Sequence, residues 1–182
     1  DLNADDAVNY GAIGGVIGHE IGHGFDDQGS TFDGDGVLRD WWTDSDRKEF
    51  KKRTNALVEQ YNSFQVFDDL NVNGEFTLGE NIGDLGGLSI ALRAYEMSLN
   101  GKEAPVIDGF TGTQRVFMGW AQAWRSKSRE KALRNQVSTD THSPALFRVN
   151  GVVRNIPAFY EAFDVKEGDA LYLAPEDRVK IW

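Results

Sequence analysis

The sequence predicts a mainly helical fold with little β-structure. Apolar residues recur at helical spacing over most of the chain, and only short β-prone runs flank the hairpin or tight-turn signal Asn73-Gly74. No internal repeat, low-complexity tract or linker interrupts the 182 residues. The chain is therefore expected to form one domain, or one large piece of a bigger one.

The first third of the chain is expected to contain two helices. The first runs from about Val8 to Phe25 and is followed by residues 26–42, a Gly- and Asp-rich stretch that indicates a long ordered loop. Thr43 or Ser45 can cap the second helix. The apolar residues predicted to share one face of that helix are Phe50, Leu57, Val58 and Tyr61.

The rest of the chain is expected to be mostly helical as well. A third helix starts near Thr77 and ends at Asn100-Gly101, and short helices are expected at Arg129–Val137 and Pro157–Phe163. Between these two, residues 147–155 (FRVNGVVRN) predict a turn between extended pieces, and the tail is expected to be irregular. A fourth helix with an aromatic face is predicted from Phe117, Trp120, Ala121 and Trp124.

Charge and composition argue against several classes of protein. The net charge is −10, and nucleic-acid binding needs clustered Lys and Arg, so no nucleic-acid partner is expected. No apolar run approaches the roughly 20 residues that cross a bilayer, and no signal peptide opens the chain. The absence of cysteine excludes disulfides and favours a bacterial source, while cytoplasmic and secreted or cell-surface locations both stay open.

A metal-binding motif lies in the first helix. The stretch Gly14–Phe25 reads GGVIGHEIGHGF, so His19 and His23 are four residues apart and project from nearly the same helix face. Two imidazoles in this arrangement can bind one zinc ion. Glu20 is rotated about 100° from His19. It is therefore expected beside the metal, where it can take a proton from water and pass it to a leaving amine.

A catalytic zinc needs a third protein ligand and an open position. The metzincin pattern would place glycine and histidine where this chain has Asp26 and Gly29, so that class is excluded. Glu80 and Asp84 are better candidates, because one can bind the metal while the other orients a ligand histidine. Each has another explanation: Thr77-x-x-Glu80 is also a helix capping box, and Asp84 alone would be a solvated helix residue.

Glycine is unusually frequent in the first helix, although each helical glycine costs roughly 0.5–1 kcal/mol relative to alanine. At 100° per residue, five of these glycines fall within one sector about 100° wide, beside the histidines. They are Gly11, Gly14, Gly15, Gly18 and Gly22. This stripe predicts that another backbone approaches the helix closely. The alternative is a loose, partly non-helical segment.

Several longer motifs together resemble the neprilysin and endothelin-converting-enzyme family of zinc metallopeptidases. They are GGVIGHEIGHGFDDQGSTFDGDG, WWT, TLGENIGDLGG, THSPALFRVNG and the closing VKIW. They occur in the family's order, from residue 10 to the last tryptophan. The resemblance implies a thermolysin-like (gluzincin) catalytic domain with one catalytic zinc ion, of which residues 1–182 form the C-terminal part.

The resemblance also implies roles for the residues around the metal. The zinc ligands would be His19, His23 and Glu80. Glu20 would be the general base, and Asp84 would hold the second nitrogen of His19. A zinc-dependent endopeptidase acting on oligopeptides is the function that follows.

Further residues acquire roles only through the resemblance. His142 would donate a hydrogen bond to the tetrahedral oxyanion, and Arg148 would hold a substrate carbonyl near the scissile bond. Asp26 and Asp140 would support the active site. A large apolar residue would be preferred after the scissile bond. The pocket for that residue would be lined by Val16, Ala123 and Trp124.

The sequence departs from the family pattern in two ways. The family carries an Asn-Ala-aromatic motif upstream of the zinc helix, on a strand that pairs with substrate, and a large helical domain that roofs the cavity. This sequence starts after both, without a methionine, so the domain is expected to be incomplete on its N-terminal side and to need the remainder of the same protein. The lack of a cysteine before the final tryptophan favours a bacterial, oligopeptidase-like member.

Two rival functions belong to other classes. A non-catalytic zinc- or peptide-binding fragment, or pseudoenzyme, would be expected to lack the general base, but Glu20 is present. A structural zinc module would need a fourth protein ligand that closes the site.

Overall fold

Eight α-helices, together with one π-helical and three 3₁₀ segments, account for most of the chain in the computed structural model, which describes residues 1–182, and the mainly helical prediction is confirmed. In chain order they are α1 (Asp6–Asn9), α2 (Gly15–Gly22), α3 (Asp44–Asn62), α4 (Leu78–Ser98), α5 (Gly112–Ala123), α6 (Glu130–Thr139), α7 (Ala145–Val153) and α8 (Pro157–Phe163). No helix is long and apolar enough to cross a membrane.

The predicted first helix is one continuous helical run that begins two residues earlier than expected. Helix α1 passes into a π-helical segment, Tyr10–Gly14, then into α2, and the run ends in a 3₁₀ turn, His23–Phe25. The backbone stays in the right-handed helical region at each junction, so no break separates the pieces. π-Helical segments are often found at functional sites.

The glycine stripe brings α2 against α4 and α5. A Cβ at Gly18 would lie 2.8 Å from the Cα of Gly87 in α4, and a Cβ at Gly15 would lie 2.8 Å from the Trp120 ring. Real Cβ atoms do not approach this closely, because the repulsion is too strong. The predicted close backbone contact is therefore confirmed, and the loose-segment alternative is excluded.

The core forms where α3, α4, α5 and α7 meet. Helix α3 starts at its predicted cap, since the Thr43 hydroxyl accepts a hydrogen bond from the Asp46 backbone N–H. Its predicted face is buried as expected. Helix α5 starts at a capping box formed by Thr111 and Gln114. The largest fully buried apolar side chains are Trp120, Tyr61, Leu57, Ile82, Leu88, Val116 and Val152.

The small amount of β-structure is one hairpin, but it does not turn at the predicted dipeptide. Strands β1 (Gln65–Phe67) and β2 (Leu70–Asn71) pair antiparallel, and the chain reverses at Asp68 and Asp69. Asn73-Gly74 lies in the tight turn before α4, where the Asn73 carbonyl accepts from the Thr77 N–H. The predicted tight turn exists, but the hairpin lies a few residues earlier.

The prediction of a turn at residues 147–155 is wrong, because most of this segment lies in α7. Gly151 lies inside the helix, in its last turn, and a Cβ there would lie 2.8 Å from the Tyr61 hydroxyl. The glycine is thus explained by packing against α3 and not by a turn. The predicted ends of α4 and start of α8 are confirmed: Asn100 and Gly101 have positive φ, and Pro157 is the first residue of α8.

Candidate metal centre and active site

Helices α2 and α4 bring three metal-binding side chains together. The ligand-forming atoms of His19, His23 and Glu80 all lie within 4.8 Å of one another. His19 Nε2 is 3.1 Å from Glu80 Oε2, and His23 Nε2 is 3.8 Å from Glu80 Oε1. The contact between Gly18 and Gly87 lets the two helices approach closely enough for this convergence.

Each of the two histidines is oriented by an aspartate. His19 Nδ1 is 2.8 Å from Asp84 Oδ1, and His23 Nδ1 is 2.8 Å from Asp26 Oδ2. Each Nδ1 donates its proton to an aspartate, so Nε2 is the nitrogen that faces Glu80 and that can bind a metal once it has lost its proton. Metal-binding histidines are usually held this way, and the carboxylate raises their basicity.

Glu80 does not cap its helix. The Thr77 side chain accepts no capping bond, and its hydroxyl donates to the Asn73 carbonyl 3.0 Å away. Glu80 Oε2 is buried and completes no well-aligned hydrogen bond. The capping-box explanation is therefore excluded. A buried carboxylate oxygen in need of a partner, beside two imidazole nitrogens, is a donor set that suits zinc.

The side chains of the site hold opposite charges close together. Burial lowers the pKa of the His19 ring, but the hydrogen bond with Asp84 and the nearby Glu80 carboxylate outweigh it and raise that pKa to about 9. Burial raises the pKa of Glu80, but the nearby His19, His142 and His23 rings outweigh it and lower that pKa. A divalent cation can replace the positive charge of the protonated histidine rings and supply a partner for the Glu80 carboxylate.

Asp84 is part of a buried ion pair and is not a solvated helix residue. Its side chain is fully buried, and it accepts from Arg148 Nε and Nη2, both at 2.7 Å. The guanidinium lies over the Trp124 ring, with Cζ 3.7 Å from the ring centroid. Arg148 Nη1 takes no part in these bonds. Asp84 therefore links the His19 ring to the Arg148 side chain.

His142 borders the metal centre but lies outside the three-residue group. Asp140 Oδ1 accepts from both the His142 backbone N–H at 2.9 Å and the ring Nδ1 at 2.7 Å. These bonds, the backbone one foremost, lower the pKa of Asp140. His142 Nε2 faces inward, 3.0 Å from Glu80 Oε2. The three histidines are therefore arranged in the same way: an aspartate contacts Nδ1, and Nε2 faces Glu80.

Glu20 has no protein partner. It is exposed on α2, next to His19, and makes neither a hydrogen bond nor an ion pair. Its carboxylate is free to meet a water molecule or a substrate at the open side of the site.

A cavity of about 390 Å³ lies beside His142. Ala123 and Trp124 line it together with Arg148, as the predicted pocket requires. Val16 does not line it; this residue is half-buried and packs against the core. The structure thus brings together two of the three predicted pocket residues.

Two buried polar residues near the site were missed in the sequence. Ser143 Oγ donates to Asn81 Oδ1 at 2.8 Å, and both side chains are almost completely buried. A signal for them existed, since each directly follows a predicted site residue inside a quoted motif. Nothing in the sequence, however, indicates that these two segments touch.

The chain has relatives among known proteins. Residues 1–179 match Peptidase family M13. Neutral endopeptidase from Lactobacillus helveticus is 40% identical over 182 residues, covering 100% of this chain and 26% of its own. Human neprilysin is 42% identical over 182 residues, covering 97% of this chain and 24% of its own.

Solved structures show the same relationship. The crystal structure of Mycobacterium tuberculosis zinc metalloprotease ZMP1 in complex with an inhibitor has 63% identity and a TM-score of 0.98, over 100% of this chain and 29% of that one. This chain spans between 19% and 26% of the length of curated relatives such as two nematode neprilysins and the Lactobacillus enzyme. The matched family, the relatives and the solved structure agree, and the chain belongs to peptidase family M13.

Proposed function

We propose that this chain carries the zinc site of an endopeptidase that hydrolyses peptide bonds in oligopeptides. The observation that carries the proposal is the convergence of His19, His23 and Glu80, with an aspartate behind each histidine. Three protein ligands and an open side are typical of catalytic zinc sites, whereas structural sites have four. His142, the nearest further candidate, stands outside the ligand group.

Zinc bound by these residues would polarise the scissile carbonyl and lower the pKa of water, so that hydroxide can form and attack that carbonyl. Glu20 is the group that accepts the proton of the attacking water and returns it to the leaving amine. Its exposure and its lack of a protein partner support this role. As an imidazolium, His142 donates from Nε2 to the developing oxyanion, while Asp140 accepts from Nδ1 and stabilises the positive charge of the ring.

Arg148 is proposed to hold a substrate carbonyl. Asp84 and the Trp124 ring fix its guanidinium, and Nη1 remains for the substrate. A donor held in one orientation loses little entropy on binding, so it positions the peptide efficiently.

The finer proposal is that a large apolar side chain is preferred after the scissile bond. The cavity beside His142 supports it, because Ala123, Trp124 and Leu146 are among its walls. Burying such a side chain contributes roughly 1.5–3 kcal/mol. Mapping the cleavage sites in a mixed peptide library tests this, and frequent cleavage before Asp or Glu would contradict it.

Metal removal tests the main proposal. The full-length protein is incubated with a quenched fluorescent peptide, before and after treatment with a chelator, and then with added zinc. We expect hydrolysis that the chelator abolishes and that one equivalent of zinc restores. Peptide binding without hydrolysis at full zinc occupancy would instead establish the pseudoenzyme alternative.

A further inference from the structure

A chain of buried hydrogen bonds connects the segment that carries Glu80 to the segment that carries His142. Ser143 Oγ donates to Asn81 Oδ1 at 2.8 Å, and Asn81 Nδ2 donates to Thr77 Oγ1 at 2.9 Å. The Thr77 hydroxyl then donates to the Asn73 carbonyl at 3.0 Å. The three side chains are between 0% and 3% exposed, so water does not compete for these bonds.

These buried hydrogen bonds lie directly next to two residues of the proposed site. Asn81 directly follows Glu80 in α4, and Ser143 directly follows His142 in the loop before α7. The bond between Asn81 and Ser143 spans 62 residues of sequence. It therefore ties the backbone of the His142 loop to the turn of α4 that presents the proposed zinc ligand.

Asp140 does not supply this tie. It binds the His142 backbone and ring from within the same loop, two residues away, so it sets the ring's orientation but not the loop's distance from α4. The ion pair of Asp84 with Arg148 also joins α4 to this part of the protein, but Arg148 lies beyond the loop, in α7. The bond between Asn81 and Ser143 is directly next to Glu80 and His142, whose Oε2 and Nε2 are 3.0 Å apart. Asn81 and Ser143 are placed to provide the tie.

We propose that Asn81 and Ser143 are positioning residues that hold His142 at the reacting carbonyl. This inference rests on the proposed function, in which His142 stabilises the oxyanion. A displacement of about 1 Å at a catalytic group can cost on the order of 100-fold in rate. Removing the Ser143 hydroxyl also leaves Asn81 Oδ1 buried without a donor, which favours a shifted loop.

A double-mutant cycle tests the proposal in the full-length, zinc-loaded protein. Ser143→Ala alone is expected to lower kcat about 10-fold with KM nearly unchanged, and His142→Phe alone about 100-fold or more. Because Ser143 acts through His142, the double variant is expected to match His142→Phe. A purely structural role would lower kcat in both backgrounds by the same factor, giving roughly 1,000-fold in total.

Zinc content and thermal unfolding of each variant accompany the cycle. Ser89→Ala is the matched control, because its hydroxyl donates to the Leu85 carbonyl within α4, away from the His142 loop; its kcat should equal that of wild type. Should Ser143→Ala fail to fold, the near-isosteric Thr77→Val takes its place in the same cycle. Thr77→Val is then expected to lower kcat in the wild-type background and to have no further effect on kcat in the His142→Phe background.

The outcomes separate the two proposals. An inactive wild-type protein at full zinc occupancy would remove the proposed function. If wild type hydrolyses peptides, two results would overturn only the positioning role. One is an unchanged kcat in Ser143→Ala, and the other is an equal effect of Ser143→Ala on kcat in the wild-type and His142→Phe backgrounds.

Discussion

At the scale of single residues, the site depends on which nitrogen each histidine keeps free. Asp84 engages Nδ1 of His19, Asp26 engages Nδ1 of His23, and both rings turn Nε2 toward Glu80. The aspartates thus act on a metal through the rings that they hold. Changing them should alter metal affinity without removing a ligand.

Asp26→Asn is expected to weaken zinc binding by roughly 10- to 100-fold. The asparagine keeps one oxygen, which can still accept the hydrogen bonds that the Gln28 and Gly29 backbone N–H groups donate to Asp26 Oδ1. It loses the second, charged oxygen that binds His23. Zinc affinity is measured by competition with a chromophoric chelator. Asp35→Asn, in the exposed loop, is the control and should not change affinity; an unchanged value for Asp26→Asn would refute its role.

Asp84→Ala is expected to destabilise the metal-free protein by about 3–5 kcal/mol, because it leaves the Arg148 guanidinium buried without a counter-charge. Both side chains are buried, so solvent does not screen the loss. Urea denaturation of the metal-free protein measures it. Asp69→Ala removes the partner of Arg134 at the surface and should have little effect. Equal effects of the two changes would contradict this view of Asp84.

The proposed ligand set could be predicted from the residues and the family resemblance, but its surroundings could not. The spacing of His19 and His23 is local to one helix, the need for a third ligand points to Glu80 or Asp84, and the resemblance selects Glu80. The pairing of Arg148 with Asp84 joins residues 64 positions apart. No periodicity or spacing encodes such a contact, because it depends on how α7 packs against α4.

At the scale of elements, the contact between α2 and α4 controls the metal geometry. Gly18 meets Gly87, and Gly83 lies under the His19 ring, where a Cβ would be 2.8 Å from Nδ1. Helices in contact through side chains are usually 8–10 Å apart. Glycine removes the side chains at these points and lets ligands from both helices reach one ion.

Gly18→Ala is therefore expected to destabilise the protein by roughly 1–3 kcal/mol and to weaken zinc binding, since the added methyl group meets backbone atoms of Gly87 that cannot move aside. Gly22→Ala, in the same helix, is the matched control. Its new methyl group would make only an ordinary 3.6 Å contact, and alanine favours the helix by about 1 kcal/mol. Thermal unfolding and zinc titration compare them, and a Gly18→Ala protein as stable as Gly22→Ala would disprove the close-contact explanation.

The elements were predicted where local signals and packing agree. Caps and glycine ends placed α3 and α4 correctly, because these signals act within a few residues. The same local reasoning failed at Asn150-Gly151, a strong turn dipeptide that lies inside α7. There the glycine serves packing against Tyr61 on another helix, and tertiary contact overrides the local preference.

At the scale of the whole molecule, the π-helical segment and α2 together carry an exposed apolar face. Ile13, Ile17 and Ile21 are each more than half exposed and lie one turn apart. Exposed apolar patches usually mark a contact with another surface. Because the curated relatives are about four times longer, we propose that the rest of the protein covers this face and orients the peptide.

Residues 1–182 alone are accordingly expected to hydrolyse peptides far more slowly than a protein extended at the N-terminus, at equal zinc occupancy. The family resemblance implies a strand outside residues 1–182 that would pair with an extended peptide. Such pairing would supply affinity and alignment, and alignment accounts for several kcal/mol of the barrier. The ratio of kcat/KM for the two proteins is the measurement. Equal values would show that these 182 residues form the whole catalytic unit.

The central claim, a zinc-dependent peptidase with Glu20 as its base, is tested most directly by Glu20→Gln in the full-length protein. Glutamine keeps the shape and leaves all three ligands, so zinc content should equal that of wild type. Peptide hydrolysis should fall at least ~100-fold, because glutamine cannot accept the proton of the attacking water. Zinc analysis and kcat are measured on the same samples. Wild-type kcat in a fully zinc-loaded Glu20→Gln protein would contradict the account.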